Sequence, residues 1–284
     1  ILAVLTEELG HHLDGLLNVV DAPGDEGEVF AAQLILKGTA SALRDNDQSF
    51  IDINGKIMQA ELAALPPTPA ILVFGTTASD VASGISNCSD GSLYITGNTY
   101  SASFDGQNGA GGSDSFLRKV NSDGSVAWTR RLGTSSDEVG LSVDTDSSNN
   151  AFICGYISGA GLPFGGNYDS FAAKYSSDGS LNWQTRFGSN GTDIANAIAV
   201  SPLGIAYIVG DTSQPLDGIS NIEPYNSDSD VFIKTIDSAG LNKTTLIMGT
   251  PGYDHAQGIA FGQDGSYAIT GYTDGNLDLS LIHI

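Results

Sequence analysis

The sequence carries little positive charge and almost no cysteine. Lys and Arg total 11 against 33 Asp and Glu, which gives a formal net charge of −22 at pH 7. Nucleic acid and anionic lipid are therefore not expected as partners, because both require clustered Lys and Arg. The two cysteines, Cys88 and Cys154, cannot form a disulfide framework, and we expect both to be small, half-buried side chains.

Long apolar runs are also absent. No stretch approaches the roughly 18 residues that a membrane-spanning helix needs, so we expect no membrane insertion. No charged segment precedes an apolar one at the start, and the chain begins inside a predicted helix at Ile1, so we expect a fragment without a visible signal peptide. Residues Leu279–Ile284 resemble the translation of a transposon end used in preparing sequencing libraries, and we interpret them as a sequencing artefact.

Residues 1–65 predict a small α+β module. Apolar residues recur at helical spacing from its start, and Asp25 followed by Glu28 forms a capping box for a second helix. Alternation around Asn54-Gly55 predicts a β-hairpin. The prolines of residues 66–70 predict a short stiff linker, so we place a domain boundary there.

From residue 71 onward the sequence is rich in glycine and repeats four times. Each copy has a glycine, an acid five residues later and a second glycine that closes an apolar run. The opening glycines are Gly75, Gly133, Gly188 and Gly249. The acids are Asp80, Glu138, Asp193 and Asp254. The closing glycines are Gly97, Gly155, Gly210 and Gly271.

The second half of the unit opens on another acid and occurs three times, at Asp114, Asp169 and Asp230. The spacing between the two glycines is the same in all four copies, and so is the spacing from this acid to the next opening glycine. All variation in length therefore falls in the connection between the second and third predicted strands, where insertions are tolerated best.

Four short strands per unit at this period are the sequence signature of a β-propeller blade. We therefore expect a mainly β chain, with a partial β-propeller of about three and a half four-stranded blades over residues 71–278. Residues 70–74 match the outermost strand that precedes each later unit, which predicts an open arc cut from a larger ring. Trp128 and Trp183 follow a turn in two copies, where the third has Thr244, and we expect both to pack between outer strands.

The repeat resembles that of a bacterial β-propeller family over residues 71–276, in segments such as GGSDSFLRKVNSDGSVAW and DIANAIAV…AYIVGDT. The open arc predicted above implies that the remaining blades of a longer chain are natural partners. One departure is Lys234, which stands one position early against Lys119 and Lys174.

The first candidate site is the face that carries the variable connections. In a propeller these lie beside the connections between blades, which hold the repeated acids Asp80, Glu138, Asp193 and Asp254. Two interpretations remain open: the acids hydrogen-bond backbone amides between blades, or they form a ring of carboxylates that attracts Ca²⁺ or a cationic ligand.

Two variable loops also offer carboxylate oxygens to Ca²⁺. One contains Asp105 and the other contains Asp228 and Asp230. Neither matches an EF-hand loop, and ordinary turns are the alternative. Calcium is the first candidate cofactor and zinc the second.

The second candidate site is N-terminal. Residues 6–11, TEELGH, resemble the zincin helix H-E-x-G-H with Glu7 in place of its first His, and the segment around Glu26 resembles the second helix of gluzincins. The resemblance implies Glu7, His11 and Glu26 as zinc ligands and Glu8 as the base. The alternative is a solvated helix face with a capping box.

Residues 1–62 also resemble a module of very large cyanobacterial surface and secreted proteins, which implies a location outside the cytoplasm. We therefore expect a non-catalytic adhesion or recognition propeller fragment of a large secreted or cell-surface protein, with a protein or glycan ligand. The alternative is an enzyme, either a degenerate zincin-like metallopeptidase or a hydrolytic propeller with its site at the channel mouth.

Overall fold

The computed structural model describes residues 49–53, 56–60, 73–159, 162–221, 228–262 and 264–275. The chain divides into two compact units, residues 1–71 and 72–284. The two helices and the proline-rich linker predicted in the first 70 residues lie outside the described part, as does the segment Leu279–Ile284.

In the first unit the structure describes one pair of strands. β1 (Ser49–Ile53) and β2 (Lys56–Ala60) are antiparallel, with Ile53 opposite Lys56. This pairing confirms the hairpin expected around Asn54-Gly55, because the most common hairpin connection has two residues.

The second unit is a series of antiparallel sheets in which strands follow one another in chain order. The first sheet contains β3 (Asp80–Asn87), β4 (Leu93–Thr99), β7 (Asp114–Val120) and β8 (Val126–Leu132). A separate short hairpin, β5 (Ser103–Phe104) and β6 (Gln107–Asn108), lies in the connection between β4 and β7. The second contains β9 (Asp137–Thr145), β10 (Ala151–Ser158), β11 (Tyr168–Tyr175) and β12 (Leu181–Phe187). The third contains β13 (Asp193–Val200), β14 (Ala206–Thr212), β15 (Asp230–Ile236) and β16 (Asn242–Met248). The fourth has two strands, β17 (Asp254–Phe261) and β18 (Tyr267–Thr273).

The four sheets confirm the predicted repeat of four short strands, with a last copy of two strands. The described residues contain no helix long and apolar enough to cross a membrane.

The core lies between consecutive sheets. The first strand of each later sheet packs on the first two strands of the sheet before it: β9 on β3 and β4, β13 on β9 and β10, and β17 on β13 and β14. Cys88 and Cys154 are buried rather than half-buried, because each belongs to one of these inter-sheet cores.

Phe74 occupies the position that the last residue of an outer strand has in the later copies of the repeat. Its ring meets Phe116 edge-on at 6.1 Å, as Phe187 at the end of β12 meets Phe232 at 5.8 Å. Val73 and Phe74 nevertheless belong to no strand, and residues 70–72 lie outside the described part, so the predicted outer strand is reproduced only in its aromatic contact.

The tight turns within each sheet lie together at the end that we call the turn end. The indole N–H of Trp128 donates to Ser177 O at 3.1 Å, and that of Trp183 donates to Ser238 O at 3.2 Å. A Cβ added to Gly179 or Gly240 would lie 2.9 and 2.8 Å from the respective tryptophan, so each ring packs on the turn of the next sheet. This confirms the expected packing of the two tryptophans between sheets.

Candidate functional site

The opposite end, which we call the loop end, carries the variable connections and the connections between sheets. Ser113 O accepts a hydrogen bond from Glu138 N, and Ser229 O accepts one from Asp254 N, both at 2.8 Å. In the second sheet Tyr168 forms a parallel β-bridge with Thr192. The variable connections therefore lie beside the repeated acids, as the repeat predicts.

Each repeated acid holds the turn that precedes it. Its carboxylate accepts hydrogen bonds from the backbone N–H and the hydroxyl of the Thr or Ser four residues earlier. The pairs are Asp80 with Thr76, Glu138 with Thr134, Asp193 with Ser189, and Asp254 with Thr250. For Asp193 both distances are 2.7 Å, and the residue has no exposed surface. We call this arrangement the carboxylate clamp, and it corresponds to the backbone-binding interpretation of the acids.

A second buried acid, from the start of the preceding third strand, approaches each of the last three clamps. Asp169, for example, has no exposed surface. A Cβ added to Gly188 would lie 2.6 Å from Asp169 Oδ1 and 3.3 Å from Asp193 Oδ2, so the approach of two carboxylates explains the repeated glycine. Burial raises the pKa of Glu138, Asp169 and Asp193, although hydrogen bonds to each carboxylate act in the opposite direction. The nearby charge of Asp193 raises the pKa of Asp169 further.

The variable connections of the first and third sheets fold back onto their own sheets. Each contains an Asp-Gly turn with positive φ at both residues, 49° and 73° at Asp105-Gly106 and 51° and 79° at Asp217-Gly218. This is the backbone of a type I′ turn, which Asp-Gly favours. The residue before each turn, Phe104 or Leu216, is fully buried. These loops are therefore anchored rather than freely projecting.

A cation on the third strand fixes each Asp-Gly turn. Asp105 accepts hydrogen bonds from Arg118 Nε at 3.0 Å and from Thr129 Oγ1 at 2.5 Å. Asp217 accepts them from Lys234 Nζ and from Thr245 Oγ1, both at 2.5 Å.

The match between these two turns corrects one interpretation of the repeat. Arg118 and Lys234 each stand four residues after the acid that opens the third strand. Lys234 is therefore the counterpart of Arg118, and not a displaced counterpart of Lys119 and Lys174.

The candidate metal ligands are not brought together in the described part. Asp105 is bound by Arg118 and Thr129, Asp230 is buried at the start of β15, and Asp228 is partly exposed. Within the described ranges, no group of three or more His, Cys, Asp or Glu side chains is arranged to hold a metal ion. Glu7, His11 and Glu26 lie outside those ranges.

The loop end presents the residues next to the clamps. In each sheet the residue just before the repeated acid is joined through its backbone to a residue at the end of the second strand. These presented pairs are Ser79 with Tyr100, Asp137 with Ser158, Thr192 with Ser213, and Tyr253 with Asp274. The first, third and fourth share the same N–H to carbonyl hydrogen bond at 3.0, 3.0 and 3.1 Å, but the side chains differ in every copy.

The presented pairs do not stand out as a repeated motif in the sequence, because their side chains differ from copy to copy. Their signal in the sequence is this variation at positions beside constant residues.

The joint between the third and fourth sheets contains a carboxylate–imidazole pair. Asp211 Oδ2 lies 2.7 Å from His255 Nδ1 and 2.8 Å from Asn196 Nδ2, while Oδ1 accepts the Ala256 N–H at 3.0 Å. Burial raises the pKa of Asp211, and the His255 charge opposes that effect. The imidazole also stacks on Tyr272, with ring centroids 4.6 Å apart. The sequence did not single out this pair.

Comparisons with known proteins support the repeat. No family model matches the chain. Over 150 residues the chain is 28% identical to Regulatory protein FlaEY of Caulobacter vibrioides. The aligned region covers 48% of this chain and 16% of that protein. Over 193 residues it is 24% identical to Uncharacterized WD repeat-containing protein L264 of Acanthamoeba polyphaga mimivirus. This aligned region covers 55% of this chain and 14% of that protein.

The similar region is thus a small part of each of these much longer relatives. The likeness to a WD repeat protein, together with consecutive four-stranded antiparallel sheets, shows a repeat, propeller-like fold. Neither the comparisons nor the described residues support the zincin-like resemblance of the N-terminal segment.

Proposed function

We propose that the chain is a non-catalytic recognition module of a large secreted or cell-surface protein, built from bacterial β-propeller repeats. The presented pairs carry this proposal. A constant backbone framework offers a different pair of side chains in each sheet, such as Ser79 with Tyr100 and Tyr253 with Asp274. Functional variability placed on a rigid scaffold is typical of binding surfaces.

The charges of the chain limit the ligand. With a formal net charge of −22, the module repels polyanions, so nucleic acid is not its partner. The repeated acids are occupied by their clamps, as Asp193 is by Ser189. These features favour a protein or a neutral glycan as the ligand. The extracellular location rests on the resemblance of residues 1–62 to a module of surface proteins.

Binding of the full chain to bacterial envelopes, including those of Caulobacter vibrioides, tests the proposal. The combined variant Tyr100→Ser with Tyr253→Ser replaces two exposed presented side chains and should weaken saturable binding about tenfold. The matched control is Leu203→Ser with Leu241→Ser, at two exposed positions of the turn end. No saturable binding by the unmodified chain, or equal loss in both variants, would contradict the proposal.

A hydrolytic propeller is the second candidate, and the Asp211–His255 pair favours it. A carboxylate that orients an imidazole through Nδ1 is the arrangement of a general base. Hydrolysis of p-nitrophenyl acetate separates the two candidates. A recognition module should show the same background rate before and after His255→Asn, whereas an enzyme should lose its turnover in His255→Asn and Asp211→Asn alike.

The zincin-like alternative has its own test. Stoichiometric zinc in the full chain that is lost in His11→Ala would support a metal site at Glu7, His11 and Glu26.

A further inference from the structure

The second sheet departs from the repeat by carrying two tyrosines at the loop end. Tyr156 and Tyr168 meet edge to face, with ring centroids 5.1 Å apart and an angle of 89°. At the same two repeat positions the first sheet has Asn98 and Ser113, and Asn98 Nδ2 donates to Ser113 Oγ at 2.8 Å. The Asn–Ser pair is buried, whereas both tyrosines are partly exposed.

The joint between sheets does not require aromatic residues at these positions. The third sheet fills them with Asp211 and Ser229, which also join their sheet to the next: Asp211 through Ala256 N, and Ser229 O through Asp254 N. Small polar side chains therefore satisfy the structural role in two of the three four-stranded sheets. The half-exposed tyrosine pair needs another explanation.

Two further groups belong to the same surface. Ser158 is opposite both Asp137 and Tyr168 in the sheet, and Tyr156 lies two residues before Ser158, so all these positions share one side of the second sheet. Tyr100, from the neighbouring presented pair, is 53% exposed. Burial raises the pKa of the Tyr156 phenol, and the acidic groups of Tyr168, Tyr100 and Asp137 raise it further.

The polar atoms of this tyrosine cluster (Tyr100, Tyr156, Tyr168 and Asp137) are largely available. Among the described residues, none hydrogen-bonds to the three phenolic hydroxyls. Asp137 uses Oδ1 to accept the Ser113 N–H at 2.8 Å, and its second carboxylate oxygen has no such partner there. Free hydroxyls beside aromatic rings suit a ligand that has both C–H faces and many hydroxyls.

We propose that the tyrosine cluster binds a neutral saccharide, an inference that rests on the proposed recognition function. The rings pack against the C–H faces of a pyranose, while the phenols and Asp137 hydrogen-bond to its hydroxyls. Tyrosine suits this task because it supplies a large contact area with only two rotatable side-chain angles. The net charge of −22 selects against uronic-acid and sulfated sugars.

Isothermal titration of the full chain with defined hexasaccharides tests the proposal. The probes are cello-, laminari-, malto-, xylo- and mannohexaose, with hexagalacturonate as the anionic comparison. At least one neutral probe should bind, and the anionic one should bind more weakly. The double variant Tyr156→Asn with Tyr168→Ser recreates the pair that the first sheet already accommodates, so it should fold, and it should weaken binding about tenfold.

Two single variants sharpen the result. Tyr100→Ser, at an exposed position, should weaken binding several-fold without affecting the fold. Leu203→Ser changes an exposed residue at the turn end, away from the presented pairs, and should leave saccharide binding unchanged. Binding that is lost equally in Leu203→Ser, or that survives the double variant, overturns the site.

The outcome is separable from that of the proposed function. If no neutral hexasaccharide binds at millimolar concentration, the saccharide proposal is overturned. Envelope binding that then persists after periodate oxidation but is lost after protease treatment preserves the recognition function with a protein ligand. Loss of envelope binding altogether overturns both.

Discussion

The loop end and the turn end hold neighbouring sheets together by different chemistry. At the loop end a buried carboxylate such as Asp193 accepts backbone and hydroxyl hydrogen bonds from its own connection. At the turn end, side chains reach across the gap, as Trp183 does to Ser238 O and Arg130 Nε does to Gly179 O at 2.8 Å. The loop end relies on clamps next to variable positions, whereas the turn end relies on the bridging side chains themselves.

This difference explains where the repeats vary. A side chain that bridges two sheets must keep its size and its donor, which constrains Trp128 and Trp183; the third sheet has Thr244 at this position and lacks the bridge. At the loop end the clamp and the backbone carry much of the joint, and the side chains of the presented pairs differ from copy to copy. Thr192 and Asp193 are adjacent in the chain, yet only Asp193 is bound into the clamp.

Breaking a clamp should have the largest effect. Asp193→Ala leaves the Ser189 N–H and hydroxyl without their acceptor at a buried site, which should lower the free energy of unfolding by about 3 kcal/mol. Urea denaturation measures the loss. The matched control is Thr192→Ala, one residue earlier and partly exposed, which should change stability by less than about 0.5 kcal/mol. Similar losses in the two variants would contradict the division between clamp and presented residue.

Removing a bridging tryptophan should have the next largest effect. Trp183→Ala removes a half-buried ring and its hydrogen bond to Ser238 O, and should lower the free energy of unfolding by about 2 kcal/mol. Thr244→Ala serves as the control, because Thr244 occupies the same repeat position in the third sheet and is exposed. Thermal and urea unfolding of both variants measure the difference, and a neutral Trp183→Ala would show that the indole bridge does not stabilise the turn end.

Exchanging the cation under an Asp-Gly turn should have a smaller effect. Lys234→Met removes the partner of Asp217, whose side chain is 40% exposed, and should cost about 1 kcal/mol. Lys234→Arg copies the Arg118 of the first sheet and should retain near-native stability. Equal losses in both variants would refute the equivalence of Lys234 and Arg118.

The pH dependence should be the smallest effect. The folded-state pKa values of Glu138, Asp169, Asp193 and Asp211 are raised mainly by burial. The folded state therefore takes up protons before the unfolded state as the pH falls towards the ordinary carboxyl pKa of about 4, so stability should rise on acidification from neutral pH.

Thermal melts at several pH values measure this rise. We expect a melting temperature about 2 °C higher at mildly acidic than at neutral pH. The rise should shrink in Asp193→Asn with Asp169→Asn. Below the ordinary carboxyl pKa the trend should reverse, because acids with a lowered pKa, such as Asp105, then lose their ion pairs. A melting temperature that falls steadily from neutral pH downward would contradict this account.

Much of the fold follows from local patterns. The constant spacing of glycines and acids predicts the consecutive strands, and Asn54-Gly55 predicts the hairpin of β1 and β2, because turn geometry and strand alternation are set by neighbouring residues. The tryptophan packing is also predictable, since Trp128 and Trp183 stand at the same distance after a turn in two copies of the repeat. The presented pairs were not predicted, because they are defined by hydrogen bonds between residues about twenty positions apart.

Local sequence patterns specify the order of the strands in the four sheets, the variable connection and the acidic character of the module, but not the hairpin of β5 and β6. The role of each acid and cation depends on its partners in the folded structure. Asp193 forms a clamp and Asp105 is an ion-pair partner of Arg118, although both are Asp residues in or next to polar connections. Likewise Tyr156 and Tyr168 became neighbours through β-sheet register. The repeat depends on the spacing of residues along the chain, whereas the partner of a side chain depends on which sheet packs beside it.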